Sequence, residues 1–270
     1  MPSVSSLPAL LQAVAGFEIA DPGLVIEPAA QAAARRSLDE SGLLLLGEVH
    51  GVRENPVLIW ALIQAFGLTR LALEWPEDLA PVIGAFLAGG DLAERALDDH
   101  WEFWSGDGRI SAGHLAVLAE RAAAGPLDLA LFDGTVGADW SWSQRDQAMA
   151  RRVLAASPPG TRTLVVAGNA HTVTSDTDLG TPMGACLAGE RPGVQEIRIS
   201  YGGGRFYNCE PRRFGAGVRR PRPPRLAGRD GALVLDLCWA GEAVVPQRAM
   251  PALVADGPPD GDQRGPVTGR

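Results

Sequence analysis

Residues that can move a proton or bind an anion directly follow an apolar run in this sequence. The run 43–46 is all leucine, and after Gly47 come a carboxylate, an imidazole and a guanidinium, from Glu48, His50 and Arg53. A neutral imidazole can take a proton from water, and a neighbouring carboxylate can orient it. A guanidinium can bind a carboxylate or an oxyanion. A solvated loop between a strand and a helix would show the same pattern, so the other strands decide between the two interpretations.

Three further apolar segments also end on residues that can titrate. They are RLALEW, ending near Glu74, DLALFDG, containing Asp133, and RTLVVAG, followed closely by His171. The carboxyl ends of parallel strands meet at one edge of a sheet, where ligands bind in α/β proteins. The pattern therefore predicts that these side chains share one crevice with Glu48 and His50, although a solvated sheet edge is the simpler alternative.

Helical segments alternate with these apolar strands, which predicts an α/β fold with a mainly parallel sheet flanked by helices on both faces. The spacing of apolar residues and the Pro, Ser and Gly signals at segment ends place the main helices at 28–40, 56–66, 111–124 and 141–156. No internal repeat interrupts this order. A single domain over residues 1–250 is expected.

The C-terminal third has a different pattern. QEIRISY and RFYNCE, joined by three glycines, predict an antiparallel hairpin as an extension of the fold. The Pro-, Gly- and Arg-rich stretch 211–230 predicts a surface loop, and 232–239 a last strand. Residues 251–270 are expected to be a disordered tail.

Composition limits the classes of partner. The net charge of −8 over 270 residues disfavours nucleic acid and anionic membrane, and there is no lysine for a Schiff base or a phosphate loop. Three widely spaced cysteines without a CxxC pair indicate a reducing compartment, and no signal peptide or membrane span is recognisable. A cytoplasmic protein acting on a small-molecule or peptide substrate is expected.

The residue types favour a histidine that activates water. There is no GxSxG elbow and no cysteine at a strand end, so a Ser or Cys nucleophile is disfavoured. His50 is the candidate base, Glu48 or Glu74 its orienting partner, and His171 a donor to a leaving group or oxyanion. The same base could run an elimination or a cyclisation. A divalent metal held by the two histidines and two carboxylates is the rival use of these atoms, because imidazole and carboxylate also suit Zn²⁺, Mn²⁺ or Fe²⁺.

Tryptophans flank the predicted loops after the strands. Trp104 is a candidate substrate-binding residue that walls an apolar pocket together with Trp101, Trp140 and Trp142. Ordinary packing explains these tryptophans equally well.

The segment LLLLGEVHGVRENPVLIWALIQAFGLTRLALEWP resembles the opening motif of the erythromycin esterase-like proteins, which are grouped with the ChaN-like and TraB/Tiki proteins. In that motif a strand ends in Gly-Glu and a His-Gly pair, an Arg-Glu follows, and the next strand ends on Glu. LVVAGNAHT at 164–172 is similar to the group's later histidine motif, and DLALFDG and SQRDQAMA are similar to its intervening strand and helix. The likeness covers about 40–172.

The resemblance implies catalytic roles for Glu48, His50, Glu74 and His171, and supporting roles for Arg53, Asp133 and Arg145. In the esterase-like branch it implies a metal-independent base that activates water on a lactone; in the Tiki-like branch, metal-dependent peptide cleavage; in the ChaN-like branch, haem binding. One residue separates the Glu and the His here, as in the ChaN and Tiki branches, whereas the Gly-x-Arg-Glu that follows favours the esterase branch. The expectation is a hydrolase without a cofactor acting on an ester, lactone or amide, as in specialised metabolism; the alternative is a haem- or metal-binding protein.

Overall fold

The structure, a computed structural model, describes residues 6–90, 108–134, 140–208, 210–214, 223–229 and 231–237. The predicted pocket residue Trp104 and the predicted tail 251–270 lie outside the described residues. Within these ranges, no helix has the length and apolar character needed to cross a bilayer.

Eight of the strands form one mixed sheet. In chain order the strands are β1 Val25–Ile26, β2 Leu43–Glu48, β3 Arg70–Pro76, β4 Asp128–Asp133, β5 Thr163–Gly168, β6 Gln195–Ser200, β7 Gly204–Asn208, β8 Glu210–Phe214, β9 Arg225–Arg229 and β10 Ala232–Asp236. The order across the sheet is β1-β9-β10-β6-β2-β5-β3-β4, and β7 pairs with β8 in a separate two-stranded sheet.

The helices alternate with the first strands as predicted. They are α1 Ser6–Ala15, α2 Pro28–Glu40, α3 Asn55–Phe66, a 3-10 turn Glu77–Leu79 leading into α4 Ala80–Leu87, α5 Ala112–Ala124, α6 Trp142–Ala156, α7 Asn169–Thr172 and α8 Met183–Glu190. The end signals act locally: Ser141 caps α6 in a capping box with Gln144, and Gly67 ends α3 in the left-handed conformation.

The centre of the sheet is parallel, which confirms the predicted fold class. β2 pairs in parallel with β5 and with β6, and β3 pairs in parallel with β5 and with β4. The carboxyl ends of β2, β5, β3 and β4 therefore lie side by side in that order. This order places the ends of the first four apolar strands at one edge.

Helices cover both faces of the sheet, as the uninterrupted leucine run predicts. Leu44 and Leu46 of β2 belong to the larger core, against α2, α3 and α5, whereas Leu43 and Leu45 belong to a second core against α6 and α8. All four leucines are fully buried. Successive residues of one strand thus fill opposite cores, because side chains alternate along a strand.

The predicted hairpin partner of QEIRISY is wrong, although antiparallel hairpins do occur in this part of the chain. β6 is an interior strand that pairs in parallel with β2 and β10, while β7 pairs with β8 and β9 with β10. Both edges of β6 are therefore paired within the main sheet. Its side chains Ile197 and Ile199 are buried in the larger core. The alternation of apolar and polar residues is the same in either pairing, which is why the sequence pattern did not separate them.

Two further segments differ from the sequence analysis. The stretch 211–230, predicted as a loop, contributes to β8 and contains β9. The helix α8, Met183–Glu190, was not predicted. Its two glycines, Gly184 and Gly189, lower helix propensity, and packing against α6 offsets that cost.

Candidate active site

The turn after β2 holds His50 against Glu48. The β2 strand ends at Glu48, which is buried, and Oε1 of Glu48 lies 3.2 Å from Nδ1 of His50. Asn55 fixes the turn, since its amide nitrogen donates to the Val49 carbonyl at 2.8 Å. The Tyr201 hydroxyl completes the clamp by donating to Asn55 Oδ1 at 2.8 Å and accepting from the Val49 N–H at 3.2 Å. Burial, with the nearby charge of Glu48, raises the pKa of Tyr201 well above its ordinary value and keeps this hydroxyl protonated.

The chain can turn away after His50 only because the next residue is glycine. Gly51 has φ of +74°, and a Cβ there would lie 1.9 Å from the carbonyl oxygen of Tyr207. Its N–H donates to the Gly108 carbonyl and its carbonyl accepts from the Tyr207 N–H. The turn is therefore packed, backbone against backbone, on β7 and on the segment before α5.

Glu74, at the end of β3, is the centre of the charged groups. Its Oε2 accepts from the Gly168 N–H at 2.8 Å and faces His50 Nε2 at 3.5 Å. Its Oε1 accepts from Arg109 and Arg145, each at 3.1 Å. Burial acts to raise the pKa of Glu74, but the charge of Arg109, with the neighbouring rings of His50 and His171, outweighs it, so the pKa lies well below its ordinary value.

Asp133, at the end of β4, closes an ion quartet with Glu74 and the two arginines. Arg109 and Arg145 donate to Asp133 Oδ2 at 2.9 and 2.8 Å, and Arg145 Nε donates to Oδ1 at 3.3 Å. Burial acts to lower the pKa of Arg145, but Asp133 and Glu74 outweigh it and raise that pKa. Two guanidiniums thus balance two carboxylates at the ends of neighbouring strands.

His171 follows β5 in the short helix α7, and both of its ring nitrogens contact charged side chains. Its Nδ1 lies 2.9 and 3.0 Å from the two oxygens of Asp146. Its Nε2 lies 3.1 Å from Arg145 Nη1 and 3.5 Å from Glu74 Oε1. The indole of Trp142 stacks on the imidazole, with ring centroids 4.4 Å apart and 11° between the planes.

Gly168 lies beneath the contact between His50 and Glu74. It ends β5, the strand between β2 and β3. A Cβ at Gly168 would lie 3.1 Å from His50 Nε2 and 3.6 Å from Glu74 Oε2. The missing side chain leaves room for the imidazole and the carboxylate to meet above the strand.

The structure brings six of the eight predicted site residues together: Glu48, His50, Glu74, Asp133, Arg145 and His171. Arg53 lies exposed on the turn after His50. Trp104 is outside the described residues.

Sequence reasoning missed Arg109, Asp146, Asn55 and Tyr201 as parts of the site. Asp146 had a usable signal, because it lies on the buried face of α6 with Met149, Ala150 and Val153, and a carboxylate on an apolar face needs a partner. Arg109 lies outside any helix or strand, so no periodicity points to it.

The donor atoms do not fit a metal centre. In the described part of the chain, no group of three or more His, Cys, Asp or Glu side chains is arranged to hold a metal ion. The oxygens of Glu74 accept from Arg109, Arg145 and Gly168, and both nitrogens of His171 already have partners. Both nitrogens of His50 also face carboxylates, Nδ1 at 3.2 Å from Glu48 and Nε2 at 3.5 Å from Glu74.

Comparisons with known proteins give structural neighbours only. The sequence matches no family model and no curated protein. One similar solved structure is that of the type III effector HopBA1, 17% identical with a TM-score of 0.47, covering 80% of this chain and 92% of that chain. Another, described as bacterial protein toxins, is 22% identical with a TM-score of 0.42, covering 61% of this chain and 35% of that chain. At these TM-scores neither neighbour assigns an activity.

Proposed function

We propose that this protein is a hydrolase that uses His50 to activate water on an ester, lactone or amide of a small molecule or peptide. The observation that carries the proposal is the setting of the His50 ring. Each ring nitrogen faces a buried carboxylate, Glu48 at 3.2 Å and Glu74 at 3.5 Å, while the His50 side chain is still 16% exposed. A base in this position is reachable by water, and both carboxylates stabilise the imidazolium it becomes.

The proton path follows from these two contacts. Neutral His50 donates Nδ1–H to Glu48, so Nε2 holds the lone pair and takes a proton from water. The hydroxide oxygen bonds to the carbonyl carbon, whose π electrons move to the carbonyl oxygen. As the tetrahedral intermediate collapses, the bond to the leaving group breaks and His50 returns its proton to that group, which restores the neutral imidazole.

The cationic side of the site stabilises the negative charge that develops. Arg145, beside His171 and held on Asp133, is the inner guanidinium in this proposal. Arg53, exposed on the turn after His50, is the outer guanidinium in this proposal and contacts a carboxylate or oxyanion of the substrate.

An apolar surface next to His171 favours a substrate with an apolar part. Trp142 covers the His171 ring, and the turn 177–180 packs beside Trp142 and Ser143. Two large apolar side chains on these segments are exposed, Trp140 at 43% and Leu179 at 63%. Exposed apolar side chains near a charged site can contact the apolar part of a ligand.

The test is a turnover screen on the purified chain with alkyl and aryl esters, lactones and amides. We expect hydrolysis of at least one class, and His50→Gln should lower kcat/KM by about 10²- to 10⁴-fold because the base is lost. Arg162→Ala is the matched control, since this half-exposed side chain pairs with Asp39 at the amino end of β5, opposite the carboxyl ends that carry the site. A folded His50→Gln variant with full turnover would overturn the proposal.

A separate measurement tests the alternative that the protein binds haem or a metal. A Soret band or a stoichiometric metal in the purified chain, with no turnover of any class, would replace the hydrolase proposal. A colourless, metal-free and active protein is the result we expect.

A further inference from the structure

Asp146 is a fully buried carboxylate for which the proposed reaction has no role. It lies on α6, and none of its surface is exposed. Its Oδ2 accepts from the N–H of Met183 at 2.7 Å, and both oxygens contact Nδ1 of His171. Burying a charge is costly unless hydrogen bonds compensate it, and these contacts supply that compensation.

The partners of His171 determine where its proton lies. Nε2 of His171 lies 3.1 Å from Arg145 Nη1 and 3.5 Å from Glu74 Oε1, and only the shorter contact is within ordinary hydrogen-bond distance. A guanidinium can only donate, so Nε2 holds a lone pair. An ionised carboxylate can only accept, so Nδ1, 2.9 Å from Asp146, must carry the proton. The two contacts agree on one neutral tautomer, Nδ1–H.

We infer that Asp146 is a positioning residue that holds His171 in the Nδ1–H tautomer, so that Nε2 accepts from Arg145 and keeps this guanidinium on Glu74 and Asp133. A proton on Nε2 would point at Arg145 Nη1–H and displace the guanidinium. The catalytic consequence rests on the proposed function, in which Arg145 stabilises developing charge. The tautomer itself does not rest on it.

Other residues fix the plane of the His171 ring and the position of the Asp146 carboxylate, so the hydrogen bond between the two determines which ring nitrogen carries the proton. Trp142 stacks on the imidazole at 4.4 Å and fixes the plane of the ring. Met183, at the start of α8, fixes the carboxylate through its N–H. The ring and its acceptor are therefore held by different elements, and their hydrogen bond selects which nitrogen is protonated.

The direct test is ¹⁵N NMR of the histidine-labelled full chain near neutral pH. The chain has four histidines, and His171→Gln assigns the ring by loss of its signals. We expect the wild-type His171 ring to show the Nδ1–H pattern. In Asp146→Asn the side-chain oxygen stays on the Met183 N–H, the amide donates to Nδ1, and the pattern should move to Nε2–H.

Asp176→Asn is the matched control. Both Asp146 and Asp176 act electrostatically on Cys186, but Asp176 is exposed on the loop after α7. Its removal changes the same charge in the same region and should leave the His171 pattern unchanged. A wild-type His171 that is Nε2–H or doubly protonated would overturn the inference, even if Asp146→Asn fails to fold.

Kinetics separate this inference from the proposed function. With a substrate of the predicted class, Asp146→Asn should lower kcat by about 10²- to 10⁴-fold with little change in KM, because the affected group acts on developing charge. Absence of turnover in the wild type defeats the hydrolase proposal but leaves the NMR result valid. A folded Asp146→Asn variant with a changed tautomer and full kcat would overturn the catalytic part of the inference.

Discussion

At the scale of single residues, Glu74 connects more segments of the site than any other side chain that was singled out from the sequence. Its two oxygens contact five groups from different segments: His50 after β2, Gly168 at the end of β5, His171 on α7, Arg109 before α5 and Arg145 on α6. If the charge of Glu74 were removed, Arg109 and Arg145 would share Asp133 as the remaining carboxylate of the quartet. Glu74 should therefore matter for stability as well as for activity.

The depressed pKa of Glu74 predicts a pH-dependent contribution to stability. The pKa of an unfolded glutamate is about 4.3, and the folded value lies lower, so the contribution is fully present above about pH 4.3. It is lost as the pH falls through the folded value. We expect Glu74→Gln to reduce the free energy of unfolding by about 3–5 kcal/mol at pH 7, with a smaller difference from wild type below about pH 4.

Urea unfolding between pH 3 and 7 measures this difference. Glu77→Gln is the control, because its carboxylate is 51% exposed and pairs with Arg152 at the surface. It should cost less than about 1 kcal/mol. A Glu74→Gln effect that stays constant down to pH 3 would contradict the prediction.

At the scale of elements, helix α6 and strand β5 position most of the site. The Ser141 capping box fixes where α6 begins, and one turn of the helix then presents Trp142, Arg145 and Asp146 to the His171 ring. β5 brings Gly168 between β2 and β3, so that His50 and Glu74 meet across it. Both elements act by placing groups from separate parts of the chain within hydrogen-bond distance.

A methyl group at Gly168 should impair catalysis without unfolding the protein. The backbone there has φ of −57°, which alanine adopts without strain. The added Cβ would lie 3.1 Å from His50 Nε2 and should move the ring by a few tenths of an ångström. We expect Gly168→Ala to lower kcat/KM by about tenfold, given the sensitivity of catalysis to sub-ångström displacement, with Tm nearly unchanged.

Gly189→Ala is the control for this substitution. No described atom lies within 4 Å of a Cβ built at Gly189, and the residue is in helix α8. It should raise stability by about 0.5–1 kcal/mol and leave kcat/KM as in wild type. Equal activity of the two alanine variants would show that the space above Gly168 is not needed.

At the scale of the whole molecule, one sheet separates two apolar cores that share strand β2. Leu46 lies in the larger core and Leu45 in the smaller, and both are fully buried. The predicted single domain requires both cores to unfold together. The sheet edge that carries the candidate site depends on both cores, since α3 packs in one and α6 in the other.

Alanine at either leucine should therefore shift the same unfolding transition. We expect Leu45→Ala and Leu46→Ala each to cost about 2–5 kcal/mol, with one cooperative transition in both variants. Urea unfolding followed by far-UV circular dichroism and by tryptophan fluorescence checks this. Two separate transitions in either variant would show that the cores belong to different folding units.

The part of the site at strand ends was predictable because strand ends are visible in a sequence. Glu48, Glu74 and Asp133 each end an apolar segment, and a parallel sheet brings such ends together whatever the strand order. Arg109 and Tyr201 had no comparable signal, since each contributes through contacts with residues distant in the chain. The pairing of β6 was missed for the same kind of reason, because a partner strand is a non-local choice.

The sequence by itself determined the α/β class, the bounds of the main helices and strands, and the edge of the sheet at which the titratable residues collect. These follow from periodicity, end signals and apolar runs, which are local. Only the tertiary structure decided that β5 lies between β2 and β3, that Arg145 reaches the buried carboxylates of Glu74 and Asp133, and that Asp146 holds His171. Strand order and side-chain pairing depend on how the elements pack together in three dimensions, and local patterns do not record that packing.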